Sequence, residues 1–392
     1  MISPDAEAYQ RFLGGCRQFW GGPMYQALQR QVTGEATARG VGPAEDPAAF
    51  TVWLQEHPTH QMFAWFERHL QRLKYSGRWG LALTLQARRE ELLAELASRG
   101  PAAALTLDPR LAAPAYWQEH DIHQHPGGLG DELAGFVYRA AAGQGGVVGR
   151  PQLHERFAQA ATAGRAPSRI LDMGCGFGRS TLAFAVAASG ASVTGIDLSA
   201  GCLRLAAAET PPTLQDRVEF RQADAVTPTF PAGAYDMVTS TMLLHELPAL
   251  VLRTLIAESA RLLAPGGVAV HLDFLPPSDP LLRALYDGHG RRNNEPFMAD
   301  LAALDLDAVH RSAGFERLEI RSFAEADGAL DGPALRWRLP WTMITATKAI
   351  PPPIQEHVDD THPQTSPCGQ PGTSAGPARD WPGPADAAGA GR

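Results

Sequence analysis

The sequence predicts an α/β fold in which a mostly parallel sheet follows a helical N-terminal region. Three observations carry that expectation. Apolar residues recur at helical spacing within the first hundred residues, short aliphatic or β-branched runs alternate with helix-length segments from Ser168 onward, and a glycine-rich turn follows the first of those runs directly.

In the N-terminal region Phe63, Phe66, Leu70 and Leu73 stand three and four apart, and Leu81, Leu85, Leu92 and Leu96 continue the pattern in a second helix. Gly77 predicts the break between the two, and Gly100-Pro101 the end of the second. Residues 1–115 read as a small helical domain. Residues 116–164 read as a connector and candidate lid, with His120, Asp121, His123 and His125, a Pro126-Gly127-Gly128 turn, and a helix from Asp131 to Ala142. Strands are predicted at 169–173, 192–197, 217–222, 234–240, 267–274, 315–322 and 339–347, within a domain spanning 165–350. Beyond it, residues 351–392 are rich in Pro, Gly, Asp and Ala, and a segment with so few aliphatics is expected to be disordered.

Composition narrows the partners. The 392 residues carry a formal net charge of -8 and are 44% hydrophobic, with no Lys/Arg-rich run, so nucleic acid is not favoured. Cys16, Cys175, Cys202 and Cys368 are scattered without a C-x-x-C pair, which fits a reducing cytoplasm better than a disulfide framework or a thiolate zinc site. The first residues lack the basic region and apolar run of a signal peptide, and no apolar stretch approaches the ~20 residues of a membrane span. A soluble, cytoplasmic protein is expected, with no membrane partner.

The chemistry concentrates in Ile170-Leu171-Asp172-Met173-Gly174-Cys175-Gly176-Phe177-Gly178. Glycines after a strand let the backbone approach a ligand, and the following helix offers free N–H groups. A nicotinamide enzyme would show G-x-G-x-x-G, whereas the spacing here is G-x-G-x-G with Asp172 two positions earlier. That acid would repel a pyrophosphate but can accept from an ammonium group. Asp197 closes the second strand about 20 residues beyond the glycines, where an acid can hold both ribose hydroxyls. Asp224, after the third strand, can accept from the exocyclic amine of adenine.

These residues resemble the class I S-adenosylmethionine-dependent methyltransferases. Asp-x-Gly-Cys-Gly-x-Gly is similar to that family's first motif, Ile196-Asp197-Leu198-Ser199 to its second-strand motif, and Ala223-Asp224-Ala225 to its adenine motif. Tyr235-Asp236-Met237-Val238 with Leu243-Leu244-His245-Glu246-Leu247 resembles its fourth strand and loop, and Arg261 to Gly267 the turn before its fifth strand. The resemblance implies a Rossmann-like seven-stranded sheet with an antiparallel last strand, S-adenosyl-L-methionine as cofactor, and in-line methyl transfer. The cofactor residues it implies are Asp172, Gly174, Cys175, Gly176, Gly178, Asp197, Leu198, Asp224, Ala225 and Thr241. The loop from Thr241 to Pro248 lacks the Asn-Pro-Pro-Tyr type of sequence that the family uses for amino groups of bases and glutamine, so a small-molecule acceptor is expected. Alternatives are a non-catalytic cofactor-binding protein acting through its N-terminal helices, a protein or RNA methyltransferase, or another transfer from the same cofactor.

An acceptor that must lose a proton needs a base, and histidine suits that task near neutral pH. His245, just past the fourth strand, is the first candidate, with helix capping as its alternative role. His123 and His125 are the others, either facing substrate or serving ordinary turns. Their spacing matches no metal motif, and no metal is predicted. Trp117 and Tyr138 flank the segment and either close over an acceptor or pack. His271 and Asp273 alternate to one face of the fifth strand, and Arg291 to Glu295 read as an exposed loop before a helix at 296–311.

Overall fold

Eight strands form one sheet: β1 (Ala104–Thr106), β2 (Arg169–Met173), β3 (Ser192–Asp197), β4 (Val218–Gln222), β5 (Tyr235–Thr241), β6 (Leu263–Phe274), β7 (Phe315–Ser322) and β8 (Trp341–Lys348). The computed structural model describes residues 3–42, 46–144, 152–332 and 334–350. Strand order is β1-β4-β3-β2-β5-β6-β8-β7, and β8 runs antiparallel between β6 and β7 while the remaining pairs are parallel. The seven predicted strands are all present. The eighth is β1, three residues that pair with β4 at the sheet edge, too short to leave a periodic signal.

The chain runs outward from β2 through β3 to β4, then returns to lay β5 on the other side of β2. The carboxyl ends of β2 and β5 therefore form a topological switch point, the crevice where open parallel sheets bind ligands. Strand interiors such as Ile170-Leu171 and Met237-Val238 are buried on both faces, as continuous aliphatic runs require in a sheet covered on both sides.

The N-terminal helices are α1 (Pro4–Phe19), α2 (Tyr25–Ala38), α3 (Pro47–Glu56), α4 (Pro58–Tyr75), α5 (Leu81–Gln86) and α6 (Arg89–Arg99). The break expected at Gly77 is there, with φ of 89°. The single second helix expected from Leu81 to Leu96 is instead two, and Leu73 is exposed on α4 although Phe63 and Leu70 are buried. After them come α7 (Ala115–Gln118), α8 (Ala134–Gln144) and α9 (Leu153–Thr162), then α10 (Arg179–Ala187) and α11 (Ala200–Ala208). Helices α12 (Ala249–Leu262), α13 (Pro280–Asn293), α14 (Met298–Ala303) and α15 (Leu306–Ser312) follow, so the helix expected at 296–311 is split, with Asp305 capping the second piece through Ala308 N–H.

Tyr25, Leu28, Phe50, Leu54 and Phe63 from the N-terminal helices share an apolar cluster with Leu281 and Leu285 of α13. Leu81, Leu85 and Leu92 join Leu133, Phe136 and Val137 of the α8 region and Leu205 of α11. Among the described residues no helix is long and apolar enough to cross a membrane. The segment expected to be disordered, 351–392, lies outside the described residues.

Candidate functional site

The switch point opens into a cavity of about 260 Å³. Gly174, Cys175 and Gly176 line it from the turn after β2, Asp197 and Leu198 from the end of β3, Asp224 and Ala225 from the turn after β4, and Thr241 from the end of β5. Eight of the ten expected cofactor residues thus share one wall. Asp172 and Gly178 stand behind it.

Gly178 caps α10 with φ of 87°, and a Cβ there would lie 2.9 Å from that of Ala206 and 3.0 Å from Cζ of Phe220. Gly178→Ala is expected to destabilise by about 2 kcal/mol or more, from left-handed backbone plus overlap. Thermal melting reads this, and an unchanged Tm would show that α10 moves aside freely.

Asp172 is fully buried, and its Oδ2 accepts from the hydroxyls of Ser180 and Thr181 at 2.6 Å each, while Oδ1 has no partner. Burial raises its pKa to about 6 against those hydrogen bonds. Asp197 takes the Gly176 N–H on Oδ2 and the Ser199 N–H on Oδ1, both at 2.8 Å, so it ties the glycine turn to the end of β3. The Leu198 N–H also favours the charged form of Asp197, and a carboxylate's four lone-pair sites still leave room for a ligand. Burial raises Asp197 to about 6 as well, against its backbone donors.

Three more buried polar atoms belong to residues that line the cavity and have no partner: Thr241 Oγ1, His154 Nδ1 and the Tyr138 hydroxyl. Buried polar groups are ordinarily hydrogen-bonded, so these atoms and Asp172 Oδ1 mark a place shaped for a polar ligand. Burial, helped by Arg179, lowers His154 to about 3 and keeps it neutral. Nothing in the local sequence singled His154 out, because α9 carries it in from outside the motifs.

Residues 170–267 match the family model described as a methyltransferase domain. The chain carries a class I S-adenosylmethionine-dependent methyltransferase domain. S-adenosyl-L-methionine is the cofactor of this domain. The chain is 38% identical over 140 residues to a demethylmenaquinone methyltransferase of Clavibacter sepedonicus, covering 36% of this chain and 55% of that protein. It is 38% identical over 155 residues to a trans-aconitate 2-methyltransferase of Streptomyces avermitilis, covering 38% and 55%. A ubiquinone biosynthesis O-methyltransferase of Psychrobacter arcticus is 31% identical over 180 residues, covering 43% and 65%. The chain thus spans between about half and just under two thirds of the length of these curated relatives.

The cavity of the methyltransferase domain is also lined by Tyr116, Trp117, Tyr138, Met242 and Leu243, with Leu243 lying over Gly174. His123 enters between them. Its Nδ1 donates to Glu295 Oε1 at 2.8 Å and its Nε2 faces Glu246 Oε1 at 3.3 Å. Burial opposes the charge on His123, but Glu295 and Glu246 outweigh it and raise the pKa to about 10. At neutral pH the ring is an imidazolium with both N–H groups committed.

His245 does not line the cavity. It is 2% exposed and bonds Asp273 Oδ1 through Nδ1 at 2.6 Å. Residues Leu244–Glu246 form one tight helical turn, in which successive side chains rotate by about 120°. His245 consequently faces β6 while its neighbour Glu246 faces the cavity. Burial opposes its charge, yet Asp273 raises it to about 9. His125 is also buried away from the cavity, between Tyr75 and Tyr138 at ring distances of 5.2 and 5.5 Å, and burial lowers it to about 4. None of the three histidines expected to act as a base offers a free ring nitrogen to the cavity. His271 is a core residue bonded to Ser240 at 2.7 Å, and Asp273 holds the β5 loop.

The stretch expected to be an exposed loop corrects that expectation most clearly: Asn293 and Glu295 are buried. Glu295 also reaches His289 Nε2 at 3.6 Å, and His289 Nδ1 donates to Glu67 Oε1 of α4 at 2.5 Å. Arg292 Nε bonds the other oxygen of Glu67. Imidazoles and carboxylates therefore alternate from Glu246 in the cavity to Glu67 in the N-terminal helices. His123 and Gln124 adopt φ of 58° and 56°, strained for non-glycine residues, and they are held by Gln71 Nε2 on the His123 carbonyl and by Gln124 Nε2 on that of Arg292. Among the described residues no group of three or more His, Cys, Asp or Glu side chains is placed to hold a metal ion.

Proposed function

We propose that this chain transfers the methyl group of S-adenosyl-L-methionine to a small-molecule acceptor. The observation that carries the reading is the composition of the cavity at the switch point: its lining combines a glycine turn, strand-end acids and unmet polar atoms with aromatic and apolar side chains. In this reading Asp197 receives the ribose hydroxyls, Asp224 receives the adenine amine, and Asp172, behind the glycine turn, holds the start of the next helix through Ser180 and Thr181. When bound, the cofactor supplies an electrophilic methyl carbon. The protein aligns the acceptor with it and excludes water, which is where most of the rate gain in such a displacement arises. The relatives named for demethylmenaquinone and trans-aconitate support a small acceptor, and their difference leaves its identity to the walls of this cavity. A cytoplasmic setting belongs to the same reading.

Calorimetry with S-adenosylmethionine and S-adenosylhomocysteine tests it. The wild type is expected to bind both. Asp197→Ala is expected to weaken binding at least about tenfold, since it removes charge-assisted hydrogen bonds and also frees the glycine turn. Heat with a dinucleotide but with neither ligand would overturn the reading.

A further inference from the structure

The geometry points to Glu246 as the group that takes a proton from the acceptor, and to a phenol-like hydroxyl on a flat aromatic body as the group that is methylated. This rests on the methyltransferase reading above and goes beyond it in naming the acceptor class and the base.

Five observations support it. Glu246 lines the cavity, and its one recorded partner there, His123, contacts only Oε1, at 3.3 Å. His123 cannot take a proton, because Glu295 and Glu246 hold both of its N–H groups. His245 and His125 lie outside the cavity, and His154 is held neutral and poorly basic. The Tyr138 hydroxyl is buried, unpartnered and lines the same cavity, so it can donate to an acceptor oxygen. The cavity is also lined by Tyr116, Trp117, Met242 and Leu243, which suit a planar apolar body.

The strength of the base selects the acceptor. Carboxylates as a class are weak bases, mismatched by many pK units to an aliphatic alcohol but closer to a phenol, whose pKa is about 10. In the step, the acceptor oxygen bonds the methyl carbon while the carbon–sulfur bond breaks and leaves its electron pair on sulfur. The acceptor's O–H bond breaks, and its proton passes to a Glu246 oxygen and then to water as the products leave. Tyr138 keeps its own proton throughout and orients the oxygen.

The test uses the full chain with methyl-labelled S-adenosylmethionine and a panel of substituted phenols and hydroquinones beside matched anilines and aliphatic amines, read by mass spectrometry. Phenols are expected to be labelled. Glu246→Gln is expected to lower kcat on the best phenol about 10²-fold or more, with the Kd for S-adenosylhomocysteine unchanged. Tyr138→Phe is expected to lower turnover about tenfold. Full turnover by Glu246→Gln overturns the assignment of the base. A wild type that binds S-adenosylmethionine but labels none of the phenols, or labels amines instead, overturns the acceptor class. A wild type that binds no S-adenosylmethionine overturns the methyltransferase reading itself.

Discussion

Glu295→Gln is expected to destabilise the protein by about 3 kcal/mol or more, although the substitution keeps the side chain's size. Glu295 is buried and sits between two imidazoles, His123 at 2.8 Å and His289 at 3.6 Å. Burial alone would raise its pKa, but His289 and His123 hold it well below the usual carboxylate range. The amide leaves two buried cations short of a counter-charge. Both imidazoles are raised in the folded protein, His123 to about 10 and His289 to about 9. Their contribution is therefore complete below pH 6.5 and disappears as pH climbs through 9 to 10. Glu295 is depressed, so its contribution is complete above pH 4.5 and fades as pH falls toward its folded value. The gap in Tm between wild type and variant should be widest between about pH 4.5 and 6.5 and narrow at pH 10.5. A difference in stability under about 1 kcal/mol at pH 6, or a Tm gap that does not narrow with alkali, would show that the row of charges does not stabilise the fold.

The sheet was legible because its strands are short, aliphatic and separated by helix-length segments, a pattern that survives without knowledge of contacts. Three strands, at 169–173, 192–197 and 315–322, have the boundaries that the periodicity predicts. The cofactor wall was legible for a related reason. Each of its residues sits at a strand end, and strand ends in a parallel sheet converge at one edge whatever the surrounding helices do.

The remaining lining of the cavity was not legible, because it is assembled from segments distant in sequence. His245 was singled out over Glu246 because residue type favoured the histidine, whereas a tight turn decides which of the two neighbours faces the cavity. Glu295 was read as exposed because charged residues before a helix usually are. A hint lay in Gly290 inside α13: glycine costs about 1 kcal/mol in a helix, and a Cβ there would stand 2.9 Å from the Glu295 carbonyl oxygen. That glycine lets the chain fold back and carry Glu295 inward. The spacing of His123 and His125 could not show that one ring would meet two carboxylates and the other two tyrosines, since the left-handed backbone at His123 and Gln124 separates them.

Asp273→Asn is expected to cost about 3 kcal/mol and to loosen the loop that presents Glu246. Asp273 is fully buried and accepts three hydrogen bonds: from the Leu244 N–H at 2.7 Å, the Phe274 N–H at 2.7 Å and His245 Nδ1 at 2.6 Å. An asparagine has one carbonyl oxygen to meet these donors, so at least one is left facing an amide that can only donate. An unmet buried donor costs about 1–3 kcal/mol, and loss of the charge on His245 adds to it. With His245 raised to about 9 in the wild type, that second part is present in full below pH 6.5 and lost as pH rises through 9. The difference in stability should accordingly shrink, without vanishing, between pH 6 and pH 10. An NMR titration supplies a readout that general loosening would not mimic: the His245 ring should titrate near 9 in the wild type and clearly lower in the variant, where only the charges of Glu246 and Glu295 still oppose burial. If His245 titrates alike in both, the Asp273 carboxylate does not hold its proton, and the β5 loop owes its position to packing by Leu244 and Leu247 alone.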